Sequence, residues 1–511
     1  MGLGTTAAVA LTGLTGHVVE VQAQLAASVP GFTLVGLPDT ALNESRERVR
    51  AAVLSTGIKW PHRKITVNLS PASLRKSGSS FDVAIAVAVL AGDGVVPRAG
   101  LDRVVHLAEL GLDGRLQPVR GVLPAVAAAV DAGCPDVVVA TGDADEARLV
   151  PGARVHAASS LAEVVLLHGG ELADPPVLDP VRAARQSAPR RSPGDLAEVV
   201  GQVQARTALE VAAAGGHHLL LVGPPGAGKT MLAARLPGIL PDLTPTEAVE
   251  VTSVHSVAGT FDPGNGLMTR PPFEDPHHTA TPAAIVGGGS GLARPGAVSR
   301  AHRGVLLLDE APEFPSRVLE TLRQPLEQGE LVLHRSGGAA RYPARFQLVL
   351  AANPCPCGMA SVNKGLDCSC TPTAKRRYFG RLSGPLLDRV DLQVEVLPVT
   401  RAERTARSEG ESSAAVAARV AQARAAARER LAGTPWTTNA EVPGRWLRER
   451  SRAPGVLQPI EQMVDRGVLS LRGADRVLRI AWTHADLAGR AAPTADDVST
   501  AVTMRTRGSH A

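Results

Sequence analysis

Gly223-Pro224-Pro225-Gly226-Ala227-Gly228-Lys229-Thr230 is the stretch that decides how the centre of this 511-residue chain folds. It follows an apolar run at residues 219–222 and precedes a helix-like segment at 231–236. The pattern therefore predicts a strand, a glycine-rich turn and a helix in that order. Backbone N–H groups in such a turn surround a phosphate, and the helix N-terminus adds partial positive charge. We expect Lys229 to reach the β- and γ-phosphates of a nucleotide and Thr230 to ligate Mg²⁺.

A second apolar run, Val305-Leu306-Leu307-Leu308, ends in Asp309-Glu310. Alone, such a pair more often marks a solvated acidic turn at the end of a strand. Together with the glycine-rich turn it predicts nucleotide hydrolysis, in which Asp309 would hold Mg²⁺ and Glu310 would orient or deprotonate the attacking water. A further buried strand predicted at 346–352 ends at Asn353, whose amide would sense the γ-phosphate and help to position that water.

The length and composition indicate a multidomain protein of two to four domains. Hydrophobic residues make up 44% of the chain and aromatic residues only 3%. The formal net charge of +5 permits contact with nucleic acid without requiring it. We find no apolar run long enough to span a membrane and no basic n-region of a secretory signal, so a cytoplasmic protein without membrane contact is expected.

Residues 1–170 alternate between strand-like and helix-like patterns and predict a separate α/β domain. Strands are expected at 17–23, 64–69, 104–110 and 136–140, and helices at 43–56, 81–91 and 123–132. Residues 171–194 are rich in Pro, Arg, Ser and Ala, which predicts a solvated linker. Its arginines are more typical of a charged tether than of a DNA contact. The ATPase core is expected at 195–400.

Between the two nucleotide motifs lies a long stretch rich in Gly, Pro and His. Pro276-His277-His278-Thr279 suggests a metal site, but we favour a structural role because adjacent histidines on a strand point to opposite faces. Gly287-Gly288-Gly289-Ser290-Gly291 predicts a mobile loop that could face a pore. Two extended runs around Ser336-Gly337-Gly338 predict a hairpin carrying Arg335, Arg341 and Arg345. A DNA-contacting hairpin and a solvated edge hairpin both remain open.

Four of the five cysteines lie close together, as Cys355-Pro356-Cys357 and Cys368-Ser369-Cys370. Four thiolates are the number required by a closed tetrahedral Zn²⁺ site. The alternative is a group of reduced surface thiols. We predict a structural zinc site that fixes the loop after Asn353. Cys134 stands alone, so the cysteines do not form a disulfide framework.

The remaining candidates are arginines that could act on the nucleotide. Arg389, in the run Ser383-Gly384-Pro385-Leu386-Leu387-Asp388-Arg389-Val390-Asp391, is the candidate arginine finger for a neighbouring subunit, with Arg381 as the alternative. Residues 401–511 predict a helical connector and a C-terminal helical lid. Arg472 is the expected lid residue over the γ-phosphate, and Arg476 is the alternative.

The N-terminal run at residues 110–121 resembles the proteolytic domain of Lon-type proteases, which use a Ser–Lys pair. Ser80 matches the serine position, but Ala125 occupies the lysine position, and no lysine occurs between Lys76 and Lys229. Without that base the serine has no activating partner. The resemblance therefore implies a shared fold without protease activity, and a binding or scaffolding role.

Taken together, the motifs at 223–230, 276–279, 287–290, 307–314, 353–358 and 383–391 closely resemble the ComM group of magnesium-chelatase-like AAA+ ATPases. The resemblance implies an α/β multidomain protein: a Lon-protease-like domain, a magnesium-chelatase-type AAA+ core with a parallel sheet, and an all-helical lid. It also implies a hexameric ring, pore-facing hairpins, and an ATP-driven DNA motor acting in branch migration during recombination.

Two other functions remain open. A protein-remodelling ATPase would use the N-terminal domain to dock a protein partner, and a magnesium-chelatase-type motor subunit would require a companion subunit. The hairpin arginines and the low aromatic content favour the DNA motor, since a polypeptide-threading ring would be expected to grip with aromatic loops.

Overall fold

The computed structural model describes residues 2–506 except 38, 77, 183–193, 290–292, 336–337, 361–367, 406–409 and 452–454. Three predicted features fall partly in these gaps. Most of the predicted linker, Ser290-Gly291 of the glycine-rich loop and the Ser336-Gly337 turn of the hairpin lie outside the described residues.

The N-terminal region is built on one mixed sheet. Its elements are β1 (Gly2–Thr12), β2 (Thr15–Ala26), β3 (Gly31–Val35), α1 (Thr40–Asn43), α2 (Ser45–Ser55), β4 (Lys64–Ser70), α3 (Asp82–Asp93), β5 (Val104–Leu107), β6 (Glu109–Leu110), β7 (Leu116–Gln117), α4 (Val122–Asp131), β8 (Asp136–Ala140), α5 (Ala144–Ala147), β9 (Arg154–Ala158) and α6 (Leu161–Leu167). The sheet has the strand order β3-β4-β2-β1-β5-β8-β9. β1 pairs antiparallel with β2 and parallel with β5.

The two faces of this sheet bury different helices. Alternate residues of β1 point to opposite faces, so that Ala8 packs in the core containing α3 and Ala7 in the core containing α4. Ser80 lies two residues before α3, whereas Ala125 lies within α4. The helices α3 and α4, near which the two positions suggested by the Lon resemblance lie, pack on opposite faces of the sheet.

The central region contains a parallel sheet. Its elements are α7 (Val203–Gly215), β10 (Leu219–Val222), α8 (Lys229–Arg235), α9 (Pro245–Ala258), β11 (Phe273–Glu274), α10 (Pro282–Val286), β12 (Gly287–Gly288), β13 (Arg294–Pro295), α11 (Ala297–Arg300), β14 (Val305–Leu308), α12 (Ser316–Thr321), α13 (Arg323–Gln328), β15 (Glu330–Arg335), β16 (Gly338–Pro343), β17 (Gln347–Ala352), α14 (Pro372–Phe379), α15 (Gly384–Leu387) and β18 (Leu392–Glu395). The strand order is β11-β14-β17-β10-β18, and every pairing is parallel.

The parallel arrangement fixes the position of the candidate site. β10, β14 and β17 are neighbours, and they read as continuous apolar runs because both faces of the sheet are covered. Residues after their carboxyl ends meet at one edge. That edge therefore holds the glycine-rich turn after β10, the Asp309-Glu310 pair after β14 and Asn353 after β17.

The C-terminal region is helical in its described part. Its helices are α16 (Arg401–Thr405), α17 (Ser413–Arg430), α18 (Gly444–Arg450), α19 (Gln458–Asp465), α20 (Leu471–Leu487) and α21 (Ala495–Thr506). Apolar residues of α17 to α21 share one core with α7 and with β10. Within it the Thr483 hydroxyl on α20 lies 2.8 Å from His217 Nε2. These helices thus complete the core of the ATPase region.

The N-terminal and central regions contact each other directly. The Ser256 hydroxyl on α9 donates a 2.5 Å hydrogen bond to the Glu146 carboxylate on α5, and the Arg120 guanidinium donates to Ala258 O at 3.3 Å. In addition, the turn between β1 and β2 lies on β16, where a side chain added at Gly13 would meet Arg341 O at 2.2 Å. The turn therefore requires glycine at this close approach.

Candidate nucleotide-binding site

The glycine-rich turn forms a cradle at the start of α8. Gly226 and Gly228 adopt positive φ angles of 76° and 93°, which glycine allows without strain. Gly223 lies so close to the neighbouring strand that a Cβ atom would be 2.1 Å from Val396 O. Its N–H donates to Ala352 O at 3.1 Å. The turn is therefore anchored on both sides while its loop remains free to curve around a phosphate.

Lys229 is directed into this cradle. Its ammonium group donates hydrogen bonds to Gly223 O at 2.8 Å, Pro224 O at 3.0 Å and Asn353 Oδ1 at 3.0 Å. Burial lowers the pKa of Lys229, against the opposing influence of Asp309 and Glu310. The contact with Asn353 brings the end of β17 to the glycine-rich turn, as expected for neighbouring parallel strands.

Thr230 and Asp309, the two predicted magnesium ligands, lie side by side. The Thr230 hydroxyl donates to Asp309 Oδ2 at 2.6 Å, and the other carboxylate oxygen accepts the backbone N–H of Glu310 at 2.9 Å. A hydroxyl and a carboxylate are oxygen ligands of the kind that Mg²⁺ prefers. The cradle and this oxygen pair together fit a nucleotide with its magnesium ion.

Glu310 has a partner that the sequence analysis did not find. Its carboxylate lies 3.2 Å from His278 Nδ1. The expectation that His277 and His278 point to opposite faces is wrong, because residues 275–278 do not form a strand. The two rings instead stack with centroids 4.1 Å apart. Within the described residues the only group of three or more possible metal ligands is formed by cysteines, so the role of the histidine pair stays a prediction.

Gln202 is a second residue whose role the sequence did not reveal. It adopts a positive φ of 53° directly before α7. Its side-chain amide donates to Ala227 O in the glycine-rich turn at 3.2 Å and to Leu397 O at 2.5 Å. Gln202 therefore connects the turn to the segment that follows β18.

The four clustered cysteines converge. The Sγ atoms of Cys355, Cys357, Cys368 and Cys370 all lie within 4.8 Å of one another. Cys368 Sγ is 3.7 Å from both Cys355 Sγ and Cys357 Sγ. Tetrahedral zinc with Zn–S bonds of about 2.3 Å requires S–S separations of about 3.8 Å. A backbone hydrogen bond from Met359, followed by the neighbouring thiols, lowers the pKa of Cys357 to about 6, whereas burial raises the pKa of Cys355 to about 11. Cys357 is therefore the thiol of this pair that more readily forms a thiolate. The donor set is compatible with Zn²⁺.

The cysteine cluster is attached to the nucleotide site. Cys355 is buried and lies two residues after Asn353, which contacts Lys229. Gly358, with a φ of 79°, lies against the glycine-rich turn, and a Cβ atom there would be 2.5 Å from Pro225 Cδ. The loop that carries the cysteines therefore supports the phosphate cradle from outside.

Comparison with known proteins places this geometry in a family. Profiles described as "Magnesium chelatase, subunit ChlI", "Subunit ChlI of Mg-chelatase" and "Magnesium chelatase, subunit ChlI C-terminal" match residues 195–404, 19–143 and 410–505. An uncharacterized protein of Mycobacterium tuberculosis is 52% identical over 99% of both chains. Competence protein ComM of Haemophilus influenzae is 39% identical, over 96% of this chain and 94% of its own. The chain belongs to the ComM-type magnesium-chelatase-like family.

Membership extends along nearly the whole molecule. The uncharacterized protein YifB of Escherichia coli is 40% identical over 94% of this chain and 92% of its own. The family and the parallel sheet together identify the protein as an AAA+-type ATPase. No helix in the described part of this ComM-type chain is both long and apolar enough to cross a membrane.

Each candidate arginine of this ComM-type ATPase either forms an ion pair within its own chain or is exposed. Arg389 is ion-paired with Glu327, and Arg381 contacts Glu313 at 2.9 Å. Arg476 is ion-paired with the buried Asp391, whereas Arg472, one turn earlier on α20, is exposed. Arg472 and Arg476 are both close enough to Arg389 for their charge to lower its pKa, after burial as the largest cause. The roles of these arginines remain predictions.

Proposed function

We propose that this ComM-type ATPase is a hexameric ring motor that uses ATP and Mg²⁺ to move on DNA, as a helicase or branch-migration factor in recombination. Two hairpins that arise next to the ATPase sheet carry this proposal. Arg294 is exposed on β13, and Arg341 is exposed on β16. The Tyr342 hydroxyl, fully buried, donates to Ala293 O and thereby joins the two hairpins.

The two hairpins and the neighbouring part of the N-terminal region carry positive charge that suits the phosphate backbone of DNA. Arg120 of the N-terminal region lies near Arg294, whose charge contributes after burial to lowering the pKa of Arg120. Arg341 forms a 2.9 Å ion pair with Glu330, but its side chain is 69% exposed. Arg345 lies beyond β16, not within the hairpin as the sequence predicted, and is also exposed. Exposed arginines on β-hairpins can neutralise phosphates without reading bases.

The hydrolytic step is assigned to residues at the carboxyl edge of the parallel sheet. Bound ATP supplies the phosphoryl group, and magnesium offsets its charge. Lys229 would hold the β- and γ-phosphates, and Thr230 and Asp309 would hold the ion. Glu310 would accept the proton of the attacking water, and Asn353 would orient that water. Arg389, or Arg381, would act on a neighbouring subunit, and Arg472, or Arg476, on its own.

The four-cysteine cluster is proposed to bind one structural Zn²⁺. The single observation behind this assignment is the convergence of all four Sγ atoms within 4.8 Å. Since its loop contacts both Asn353 and Pro225 through neighbouring residues, bound zinc would hold the cradle in place. The N-terminal domain, with a Lon-like fold lacking a Ser–Lys pair, would act as a scaffold or docking module.

ATPase turnover tests this proposal. Wild type and Glu310→Gln are measured with no DNA, single-stranded DNA and branched DNA at two salt concentrations. We expect DNA to stimulate wild-type turnover, high salt to suppress the stimulation, and Glu310→Gln to bind ATP with turnover reduced at least about 100-fold.

A second pair of variants connects the effect to the hairpins. Arg294→Gln/Arg341→Gln should weaken the stimulation and reduce the salt dependence of DNA binding. Arg46→Gln, on the exposed surface of α2, is the matched control and should leave both unchanged. Turnover indifferent to every DNA would refute the DNA function, and nucleotide-dependent capture of a protein partner would then favour a remodelling ATPase.

A further inference from the structure

One border of the N-terminal sheet carries a concentration of positive charge. No Asp or Glu occurs from residue 48 to residue 81, and that stretch holds seven Lys and Arg residues. Its centre is the run Lys59-Trp60-Pro61-His62-Arg63-Lys64, which leads into β4 and is called the basic edge below. All four basic side chains of this run are exposed. Charge alone would describe an ordinary solvated surface, so the function of the basic edge depends on what surrounds these cations.

The cations of the basic edge have no acidic partner in the described part of the chain. Elsewhere in the N-terminal region an exposed arginine is neutralised, as where Arg154 on β9 pairs with Asp136 on β8. The side chains of Lys59, Arg63 and Lys64 form no such ion pair with a described residue. Two ammonium groups and one guanidinium without counter-charges attract a polyanion.

Two aromatic rings lie at the same border of the sheet. Trp60, inside the basic edge, lies beside Phe32 of β3, with ring centroids 6.3 Å apart and planes tilted by 39°. Both rings pack against the core that contains α3, and part of each remains accessible to solvent. Pro61 is buried and restricts the backbone between Trp60 and the basic residues that follow. Aromatic surface beside unpaired cations is the combination that holds the bases and phosphates of a single strand.

The sheet holds this border in place and leaves it open. Among the described strands β3 is the first in the order and pairs only with β4. Lys64 is the first residue of β4 and lies opposite Gly31 of β3, and the Gly31 N–H donates to Arg63 O at 3.4 Å. The rings and the cations are therefore attached to a hydrogen-bonded sheet and accessible from solvent.

The basic edge is far from the hairpins of the ATPase region. One end of β2 is the turn that lies on β16, and the other end is Ala26, which pairs with Lys64. β2 has 12 residues and spans about 35 Å at about 3.3 Å per residue. The basic edge is therefore a surface separate from the one that carries Arg294 and Arg341, and variants of one leave the other intact.

We propose that the basic edge is a binding site for single-stranded nucleic acid. Lys59, Arg63 and Lys64 neutralise backbone phosphates, and a base stacks on the accessible surface of Trp60. The site does not select a sequence, because its cations contact only the backbone and every base has a π-face. It goes beyond the proposed function, since it assigns nucleic-acid binding to the N-terminal region and requires neither ATP nor the hairpins.

Binding of fluorescently labelled oligo-dT to the full chain without ATP, measured by anisotropy over a range of salt concentrations, tests the site. Arg63→Gln/Lys64→Gln should raise the Kd at least about tenfold at low salt and reduce the slope of log Kd against log salt by about 1.4, since each neutralised phosphate of a single strand contributes about 0.7. Arg103→Gln/Arg148→Gln removes two other exposed arginines of the N-terminal region and should leave both values unchanged.

Trp60 provides a separate readout of base stacking. The other tryptophans are residues 436, 446 and 482 of the C-terminal region. Oligo-dT should quench part of the wild-type tryptophan emission, and Trp60→Phe should lose that quenching. Phenylalanine keeps an aromatic ring in the packing against the core, and a thermal unfolding midpoint close to that of wild type confirms that the variant is folded. Full quenching in Trp60→Phe would contradict stacking on Trp60.

Other results would overturn the proposal. They are unchanged affinity in Arg63→Gln/Lys64→Gln, an equal loss in the control pair, and displacement of oligo-dT by polyglutamate as readily as by unlabelled oligo-dT, which would make the basic edge a site for acidic protein.

The same titration in the Arg294→Gln/Arg341→Gln background separates this site from the proposed function. Oligo-dT binding that persists in that background and is lost on adding Arg63→Gln/Lys64→Gln supports the basic edge, even if no DNA stimulates ATP turnover. Oligo-dT binding that the hairpin substitutions alone abolish would refute the basic edge while supporting the hairpins.

Discussion

Lys229 lies in a cage of three hydrogen-bond acceptors. Two backbone carbonyls of the glycine-rich turn and the Asn353 amide accept its three hydrogen bonds. A triphosphate has to replace at least part of this cage, because the ammonium group has only three donors. Asn353 therefore influences nucleotide affinity as well as the position of water.

A negative charge at residue 353 would hinder a triphosphate from replacing the hydrogen bonds of Lys229. Asn353→Asp should raise the Kd for ATP at least tenfold, or about 1.4 kcal/mol, because a carboxylate would pair with Lys229 and repel the phosphates. Titration with a fluorescent ATP analogue measures the affinity. Asn265→Asp, which makes the same charge change on an exposed turn, is the control. Equal affinity of Asn353→Asp and wild type would show that residue 353 does not face the phosphates.

His106 gives the N-terminal sheet a predictable pH dependence. The ring is fully buried between the Thr6 hydroxyl, 2.9 Å from Nδ1, and His168, 2.8 Å from Nε2. Burial, followed by the nearby His168, lowers the pKa of His106 to about 3, and burial also lowers the pKa of His168. Because the folded pKa lies below the unfolded value, the stabilisation is complete above pH ~6.5 and is lost as pH falls towards ~3.

Urea unfolding between pH 7.5 and 4 measures this effect. The wild-type free energy of unfolding should fall on acidification, with His106 contributing at most about 3 kcal/mol between pH 6.5 and pH 4. His106→Asn, which cannot titrate, should show a shallower decline despite a lower stability at pH 7.5. His62→Asn, at an exposed histidine, should keep the wild-type slope. Parallel slopes for all three proteins would contradict a neutral buried His106.

At the scale of elements, the cysteine loop supports the phosphate cradle from outside. Gly358 packs on Pro225, and a hydrogen bond joins the backbone of Asn353 to the side chain of the buried Tyr378 on α14. The loop therefore connects the end of β17 to both the glycine-rich turn and α14. Disordering the loop should loosen the turn even though no cysteine touches the nucleotide.

Removing one thiol tests this connection. Cys357→Ser should lower bound zinc from about one ion per chain to nearly none, because structural zinc requires all four ligands. It should also lower the thermal midpoint and weaken ATP binding several-fold. Zinc content by mass spectrometry and ATP titration provide the readouts. Cys134→Ser, outside the cluster, is the control. Zinc-free wild-type protein with full ATP affinity would refute the assignment.

The sequence predicted the strand–turn–helix at 219–236 and the further strands at 305–308 and 346–352, because parallel buried strands leave long apolar runs. It missed β1, whose Gly, Ala and Thr residues are poor in large strand-forming side chains. That strand is specified by close packing, since a Cβ on Gly4 would lie 2.1 Å from Ala88 O on α3.

The sequence predicted the residues of the candidate site but not the loop contacts that support them. Lys229, Thr230, Asp309 and Asn353 follow strand ends, where spacing alone indicates convergence. The contacts of His278 with Glu310 and of Gly358 with Pro225 depend on loops that fold back, and no periodic pattern encodes such loops. The side chains of adjacent residues outside a strand need not point in opposite directions, which is why the predicted orientation of His277 and His278 was wrong.

At the scale of the whole molecule, buried polar contacts join regions with separate cores. Glu146 is 4% exposed and accepts the Ser256 hydroxyl across the boundary, while it also accepts the Leu123 N–H at 3.0 Å. A hydrogen bond to a buried charge contributes more than one to a neutral group. We therefore expect the N-terminal and ATPase regions to support each other's stability.

Ser256→Ala should lower the free energy of unfolding by about 1–3 kcal/mol, because the Glu146 carboxylate loses a buried donor. Ser253→Ala is matched to it, since that hydroxyl lies on the same helix but donates to Val249 O of its own turn at 2.8 Å. Chemical denaturation of both variants gives the comparison. Similar losses in the two would mean that the contact between regions contributes no more than a local helix bond.

The apolar core shared by β10, α7 and the helices α17 to α21 has a consequence for genetics. A premature stop codon in the last fifth of the gene would delete part of the packing against β10, the strand that precedes the glycine-rich turn. The mutant cell would lose the whole enzyme through misfolding and degradation, and its phenotype would equal that of a complete deletion. Only substitutions at exposed positions such as Arg472 can therefore reveal a function of the last helices separately from their contribution to folding.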